Sequence, residues 1–200
     1  MNEIGSGLDV NAHAMTADET WSGGDATTPL ERGRRNCFTR TVSETRLMLT
    51  CGLPGAGKTA LARQLADERR ALRLTKDEWL IALGSNPWDE VTRVNVERQL
   101  WHLARDALRL GVSVVLDFGL WARRERDELR TAARELAVGV ELHYLDVPID
   151  ELWRRIDARN AAPPWDSSPI SRSHLDEWAA AFEAPQAGEL ALYDRPPPTT

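Results

Sequence analysis

Along the chain, short unbroken apolar runs alternate with longer stretches in which apolar residues recur at helical spacing. Leu47-Met48-Leu49-Thr50-Cys51 reads as a buried strand, and Ala60-Leu61-Ala62-Arg63-Gln64-Leu65-Ala66 as the helix after it. Ala71-Leu72-Arg73-Leu74-Thr75 is a second strand, ending at Lys76-Asp77. A long amphipathic helix is predicted from Glu90 to Leu110. There Leu100, Leu103, Ala104, Ala107 and Leu108 share one face, and Gly111 fits the stop position. Val112-Ser113-Val114-Val115-Leu116-Asp117 is continuous enough for a strand covered on both faces. Arg123 to Ala137 is helical, with Gly139 as its stop, and Val140 to Val147 is a fourth strand. Asp150 is placed to cap a helix running through Arg159. A loop holding Pro163-Pro164-Trp165 leads to a last helix, His174 to Phe182.

This order predicts an α/β fold of three layers. Its central sheet is mostly parallel, its crossovers are right-handed, and its ligand sites lie at the carboxyl ends of the strands. Residues 1–45 carry Gly, Ser, Thr, Asn and Asp with few large apolar groups. They are expected to be disordered or loosely packed, or to precede a natural start at Met15 or later. Residues 46–194 form the expected domain, and 195–200 a Pro-rich tail. No internal repeat is visible.

Composition narrows the class only a little. The chain has 200 residues, 42% hydrophobic and 28% charged, which suits one domain with a substantial core. Its net charge of −6 argues against a general nucleic-acid surface. No apolar run approaches membrane-spanning length, and the first residues lack the form of a secretory signal. Cys37 and Cys51 suggest no disulfide framework, and the histidines lack metal-ligand spacing. A cytoplasmic enzyme without a membrane partner is the expectation.

The chemistry enters at Gly52-Leu53-Pro54-Gly55-Ala56-Gly57-Lys58-Thr59, which fits the phosphate-loop pattern G-x-x-x-x-G-K-[ST] between a strand and a helix. Glycines let backbone N–H groups turn inward around phosphates, and the helix that opens through Ala60 aims its positive end at them. Lys58 adds charge near a transferring phosphoryl group, and the Thr59 hydroxyl suits Mg²⁺.

Other candidates follow from the predicted sheet. Asp117 closes an apolar strand as a Walker B carboxylate does, holding Mg²⁺, or else caps the turn there. Asp77 follows the second strand at the same edge. It could take a proton from an attacking hydroxyl or cap the next helix. Arg155 and Arg159 stand at i and i+4 beside the Leu152–Ile156 stripe. They suit a lid that stabilises transition-state charge, or a solvated face with pairs such as Glu151–Arg155. Arg123 and Arg126 open a helix against its macrodipole. A bound substrate anion would account for that placement, as would salt bridges to Glu125, Asp127 or Glu128. Among the 8 tryptophans, most are expected in the core, with one or two left to line an acceptor pocket.

Taken together, these stretches resemble the P-loop kinase group that includes chloramphenicol phosphotransferase, zeta-type toxins, polynucleotide 5′-kinase and gluconate kinase. The resemblance is strongest to small bacterial ATP-binding proteins described as AAA-type ATPases. It rests on Gly52 to Thr59, Leu72 to Trp79, Val114 to Trp121 with Arg123 and Arg126, Leu142 to Pro148, Arg155 to Asn160, and Phe182-Glu183-Ala184-Pro185. It implies that Asp77 is a base or substrate contact and that Arg155 and Arg159 are lid arginines. The expected activity is transfer of the ATP γ-phosphate to a hydroxyl of a small molecule or a nucleic-acid end. A P-loop ATPase or nucleotide-dependent switch is the alternative. Deleting residues 1–40 is expected to leave nucleotide affinity and melting temperature unchanged; a large fall in either would show that the segment belongs to the domain.

Overall fold

The computed structural model of the protein describes residues 45–85, 89–161 and 169–195. The expected N-terminal extension, Trp88, the Pro163-Pro164-Trp165 loop and the Pro196–Thr200 tail lie outside them. Strands β1 (Arg46–Cys51), β2 (Leu72–Thr75), β3 (Val114–Gly119) and β4 (Gly139–Tyr144) form one sheet in the order β2-β3-β1-β4. Every described pairing is parallel. Helices α1 (Lys58–Arg69), α2 (Lys76–Ala82), α3 (Glu90–Arg109), α4 (Arg123–Glu135), α5 (Ile149–Asn160), α6 (Arg172–Ala181) and α7 (Ala187–Leu190) connect and cover it.

The strands alternate faces as the pleat requires. Leu47, Leu49, Val114, Leu116 and Val140 pack with Leu100, Ala104 and Leu108 of α3 and Ala133 of α4. Met48 and Val115 point the other way, onto Ala62 and Leu65 of α1. A smaller cluster joins Ala56 to Leu152, Ile156 and Leu175, so α5 and α6 pack over the loop after β1. No described helix is long and apolar enough to cross a membrane.

Element ends depart from the sequence reading where local chemistry decides them. Gly111 does stop α3: its N–H donates to the Leu108 carbonyl, and Val112 N–H to that of Ala107, a Schellman closure. The same pattern closes α4, but through Ala137 at φ 55°, not Gly139. Gly139 instead begins β4, where a Cβ would collide with the Arg46 guanidinium. Asp150 is not a cap either, since α5 starts at Ile149 after Pro148, whose fixed φ suits that position. Helix α7 went unpredicted; at 4 residues it offers no periodicity to read.

Beyond β4 there is no fifth strand among the described residues. Asp194 stands in its place: its carboxylate accepts from Val140 N–H at 2.7 Å, and its own N–H donates to the Val140 carbonyl at 2.8 Å. Arg134 grips the same carboxylate through both terminal nitrogens, and Arg46 adds a longer contact. The Arg134 bonds, helped by Val140 and Arg46 and opposed by burial, hold this carboxyl below its ordinary range. A folded-state pKa below the unfolded one stabilises at neutral pH, and the stabilisation is lost as pH falls through the folded value. Asp194→Asn is therefore expected to cost about 1–3 kcal/mol at neutral pH. In urea titrations the gap to the parent should close as pH drops below about 4; a deficit independent of pH would show that the charge is not what matters.

Candidate functional site

At the carboxyl edge of the sheet, β1 runs directly into the Gly52–Thr59 loop. Gly52, Gly55 and Gly57 adopt φ of 146°, 83° and 97°, which turns successive N–H groups inward. Packing also crowds out side chains at two of them. A Cβ on Gly52 would stand 3.0 Å from the Leu145 carbonyl oxygen, and one on Gly55 3.1 Å from both Ile156 Cγ1 and the Leu152 oxygen. Leu53 and Pro54 are half-buried, and Ala56 is sealed against α5 and α6. Lys58, Thr59 and Ala60 form the first turn of α1, whose amino end therefore opens into the loop. Lys58 Nζ donates to the Leu53 carbonyl at 2.9 Å. Burial lowers the Lys58 pKa, against the pull of Asp117 and Asp77, and the Arg159 charge pushes it further down.

Register brings the carboxylates to this loop. Leu49 pairs with Leu116 but Cys51 with Gly119, so β3 carries one extra residue opposite Thr50. Such a bulge re-aims the side chains beside it. Thr50 Oγ1 now donates to Asp117 Oδ1 at 3.1 Å, while Asp117 Oδ2 is buried with no hydrogen-bond partner among the described residues. Thr75 pairs with Asp117, which puts Asp77 two residues past the end of that row. Thr75 is also the residue at the helix cap, so Asp77 is free of the capping role and lies exposed in the first turn of α2. Its neighbour Lys76 is buried, paired to Glu97 at 3.0 Å and lying over the Phe118 ring.

The arginine candidates divide. Arg155 bonds Glu151 at 2.7 Å and reaches the Gly55 carbonyl at 3.4 Å, so its ion pair sits at the loop itself. Arg159 is half-buried one turn on, close enough to act on Lys58. Arg123 is exposed and paired with Asp127 on the surface of α4. The anion that answers α4's positive end is Glu183, which accepts from Arg123 N–H at 2.7 Å. Arg126 is wholly buried, its guanidinium met from within the chain. The Asp127 pair is the salt-bridge alternative expected from the sequence; Glu183 and Glu189, from the far end of the chain, were not foreseen.

Arg126 is matched at all of its N–H groups. Nε and Nη2 meet the two Glu189 oxygens at 2.6 and 3.0 Å; Nη1 donates to the carbonyls of Leu120 and Trp121, and Nη2 also to that of Glu183. Burial opposes its charge, yet the Glu189 contact holds the guanidinium above its ordinary pKa. The held turn includes Leu120 at φ 46°, a left-handed conformation costly for a side-chain-bearing residue. Cys51 donates its thiol proton to the Leu120 carbonyl, and burial pushes its pKa up to about 11, as for a thiol packed in the interior. Among the tryptophans, Trp101 packs on the main core and Trp153 on the α5–α6 cluster, whereas Trp79 is exposed. Trp121 lies half-buried at the site, 5.8 Å from Trp178. Among the described residues no cluster of three His, Cys, Asp or Glu side chains suits a metal.

A family model described as AAA domain matches residues 47–185. No curated protein matches the sequence. Among solved structures, a chain of the Pnkp1/Rnl/Hen1 RNA repair complex superposes with a TM-score of 0.60 at 17% identity, covering 68% of this chain and 43% of that chain. A putative kinase from Chloroflexus aurantiacus gives 0.57 at 22%, covering 72% and 82%. Kti12 from Chaetomium thermophilum, in complex with ADP-AlF3, gives 0.54 at 20%, covering 70% and 81%. At these identities the likeness is one of fold. The loop geometry makes its own test. Gly55→Ala, which meets backbone and Ile156, is expected to cost about 1–3 kcal/mol in denaturant unfolding. Gly57→Ala has its nearest neighbour at 3.8 Å and should cost only the backbone strain of about 1–2 kcal/mol. Equal losses would mean that packing by α5 does not shape the loop.

Proposed function

Because the chain belongs to this AAA-domain family, we propose that it is an ATP-dependent phosphotransferase acting on a hydroxyl of a small molecule or of a nucleic-acid end. One observation carries the reading. Lys58, Asp77 and Asp117 converge on a single glycine loop at the carboxyl edge of a parallel sheet, and Lys58 feels the charge of both carboxylates. A loop that only turned the chain would need neither the lysine nor two carboxylates beside it.

Gly52 to Ala60 bind the triphosphate through inward N–H groups and the amino end of α1. Lys58 leaves its contact with Leu53 to meet the β- and γ-phosphates. The Asp117 oxygen that no described residue bonds, beside a phosphate loop, fits a divalent cation: Asp117 and Thr59 are the residues that would hold Mg²⁺. When bound, the ion neutralises charge on the phosphate oxygens. Arg155 and Arg159 stabilise the charge that grows on the phosphoryl group in flight. Asp77, exposed in the first turn of α2, takes the proton of the acceptor hydroxyl. The acceptor oxygen then bonds to the γ-phosphorus, the bond to the β–γ bridging oxygen breaks, and ADP leaves.

Two sets of variants test this. ATP·Mg²⁺ should raise the melting temperature of the parent by mass action and barely move that of Lys58→Ala or Thr59→Ala; equal stabilisation of all three would remove the phosphate-loop assignment. With γ-labelled ATP and a panel of antibiotics, nucleosides, sugars and nucleic-acid ends, Asp77→Asn should lower transfer by ~10²–10⁴-fold with nucleotide affinity kept. Asp117→Asn should lose metal affinity and recover in part as Mg²⁺ is raised. Parent-rate transfer by Asp77→Asn, with Asp117→Asn inactive at unchanged metal affinity, would reverse the two roles.

A further inference from the structure

The space above Gly119 is bordered by two functional groups. A Cβ there would stand 3.3 Å from the indole nitrogen of Trp121 and 3.7 Å from Lys58 Cε. Gly119 has φ 92°, and its carbonyl accepts from Gly52 N–H, so this spot is fixed to the start of the phosphate loop. The indole Nε1–H can only donate, and no described residue accepts it. The ring sits there because the next turn is pinned: Arg126 holds the Leu120 and Trp121 carbonyls, and Glu183 N–H donates to the Trp121 carbonyl as well.

We propose that Trp121 contacts the substrate, donating Nε1–H to an oxygen at the transfer position, and that Arg126 is the positioning residue that aims it. The inference rests on the phosphotransferase reading of the same loop. Two oxygens have the chemistry to accept this bond: one on the γ-phosphoryl group and the one on the incoming hydroxyl. Lys58 is the cation that accompanies the phosphates, and its side chain shares the Gly119 space with the indole, which favours the γ-phosphoryl oxygen.

The experiment compares ADP·Mg²⁺ with the unhydrolysed analogue AMPPNP·Mg²⁺, reading both tryptophan emission and affinity in the full chain. In the parent, AMPPNP should change the emission more than ADP does. Trp121→Phe should abolish that difference and weaken AMPPNP by about fivefold, the loss of one neutral donor, while leaving ADP affinity unchanged. Trp101→Phe, altered in the core of α3, should keep the difference. Arg126→Lys keeps the charge but loses the fork. It should bind ADP normally yet lose the AMPPNP-specific emission, although Trp121 is still present; Glu189→Gln, which keeps the shape of the partner, is the second variant should the lysine fail to fold.

If both nucleotides bind the parent and AMPPNP adds nothing, a further emission change on adding nucleosides or sugars to the AMPPNP complex, absent in Trp121→Phe, would assign the bond to the acceptor. No Trp121-dependent change with any of these would overturn the contact. A full AMPPNP response in a folded Arg126→Lys or Glu189→Gln protein would overturn the positioning role. Failure of both nucleotides to shift the parent's melting temperature would instead remove the phosphate-loop reading, and this inference with it.

Discussion

Taking the Arg126 charge out of water costs several kcal/mol unless its donors are met, and this chain meets them from three separated stretches. The Glu189 carboxylate comes from the short α7, the Glu183 carbonyl from the segment before it, and the Leu120 and Trp121 carbonyls from the turn after β3. Tyr193 closes the arrangement by donating its hydroxyl to the Arg126 carbonyl. A single guanidinium therefore ties an irregular carboxyl-terminal segment to the turn that follows Asp117. Removing any one partner would leave a buried charge short of a bond, which is why the left-handed Leu120 is tolerated where it stands.

The same economy operates at the sheet edge. The pairing of β1 with β3 and β4 determines which side chains meet, and one additional residue in β3 converts Asp117 from a member of the sheet interior into a group held by Thr50 with its other oxygen bare. Charge then accumulates on a small area: Lys58 among Asp117, Asp77 and Arg159. Burial of Asp117 and the partial burial of Lys58 make their charges matter more to each other. The packing of α5 and α6 on Ala56 supplies the low-dielectric wall behind them.

How much of this was legible depended on range. The strands and the long α3 were readable because their burial repeats with the period of the element, and the phosphate loop because its residue types are dictated by backbone geometry. The capping alternative at Asp77 would have started α2 two residues late, because Thr75 and Asp77 are both good capping types. Arg123 and Arg126 looked like anion binders because two arginines at a helix amino end are unfavourable in isolation. The compensating Glu183 and Glu189 lie about sixty residues away, a distance over which no periodicity or spacing rule operates. The bulge opposite Thr50 is equally invisible in sequence, being a mismatch between two strands and not a property of either.

Asp194 gives the sheet something other than stability. A strand edge is a template that any extended chain can copy, and here one residue imitates a neighbouring strand with a carboxylate for the missing carbonyl and its own N–H for the missing donor. The imitation ends the ladder without encoding another strand, and the two arginines keep it in place. A protease that trimmed the chain before this residue would thus do more than shorten a tail. It would uncover the β4 edge and strip Arg134 and Arg46 of this carboxylate, leaving two cations beside the edge as what still opposes its pairing with another chain.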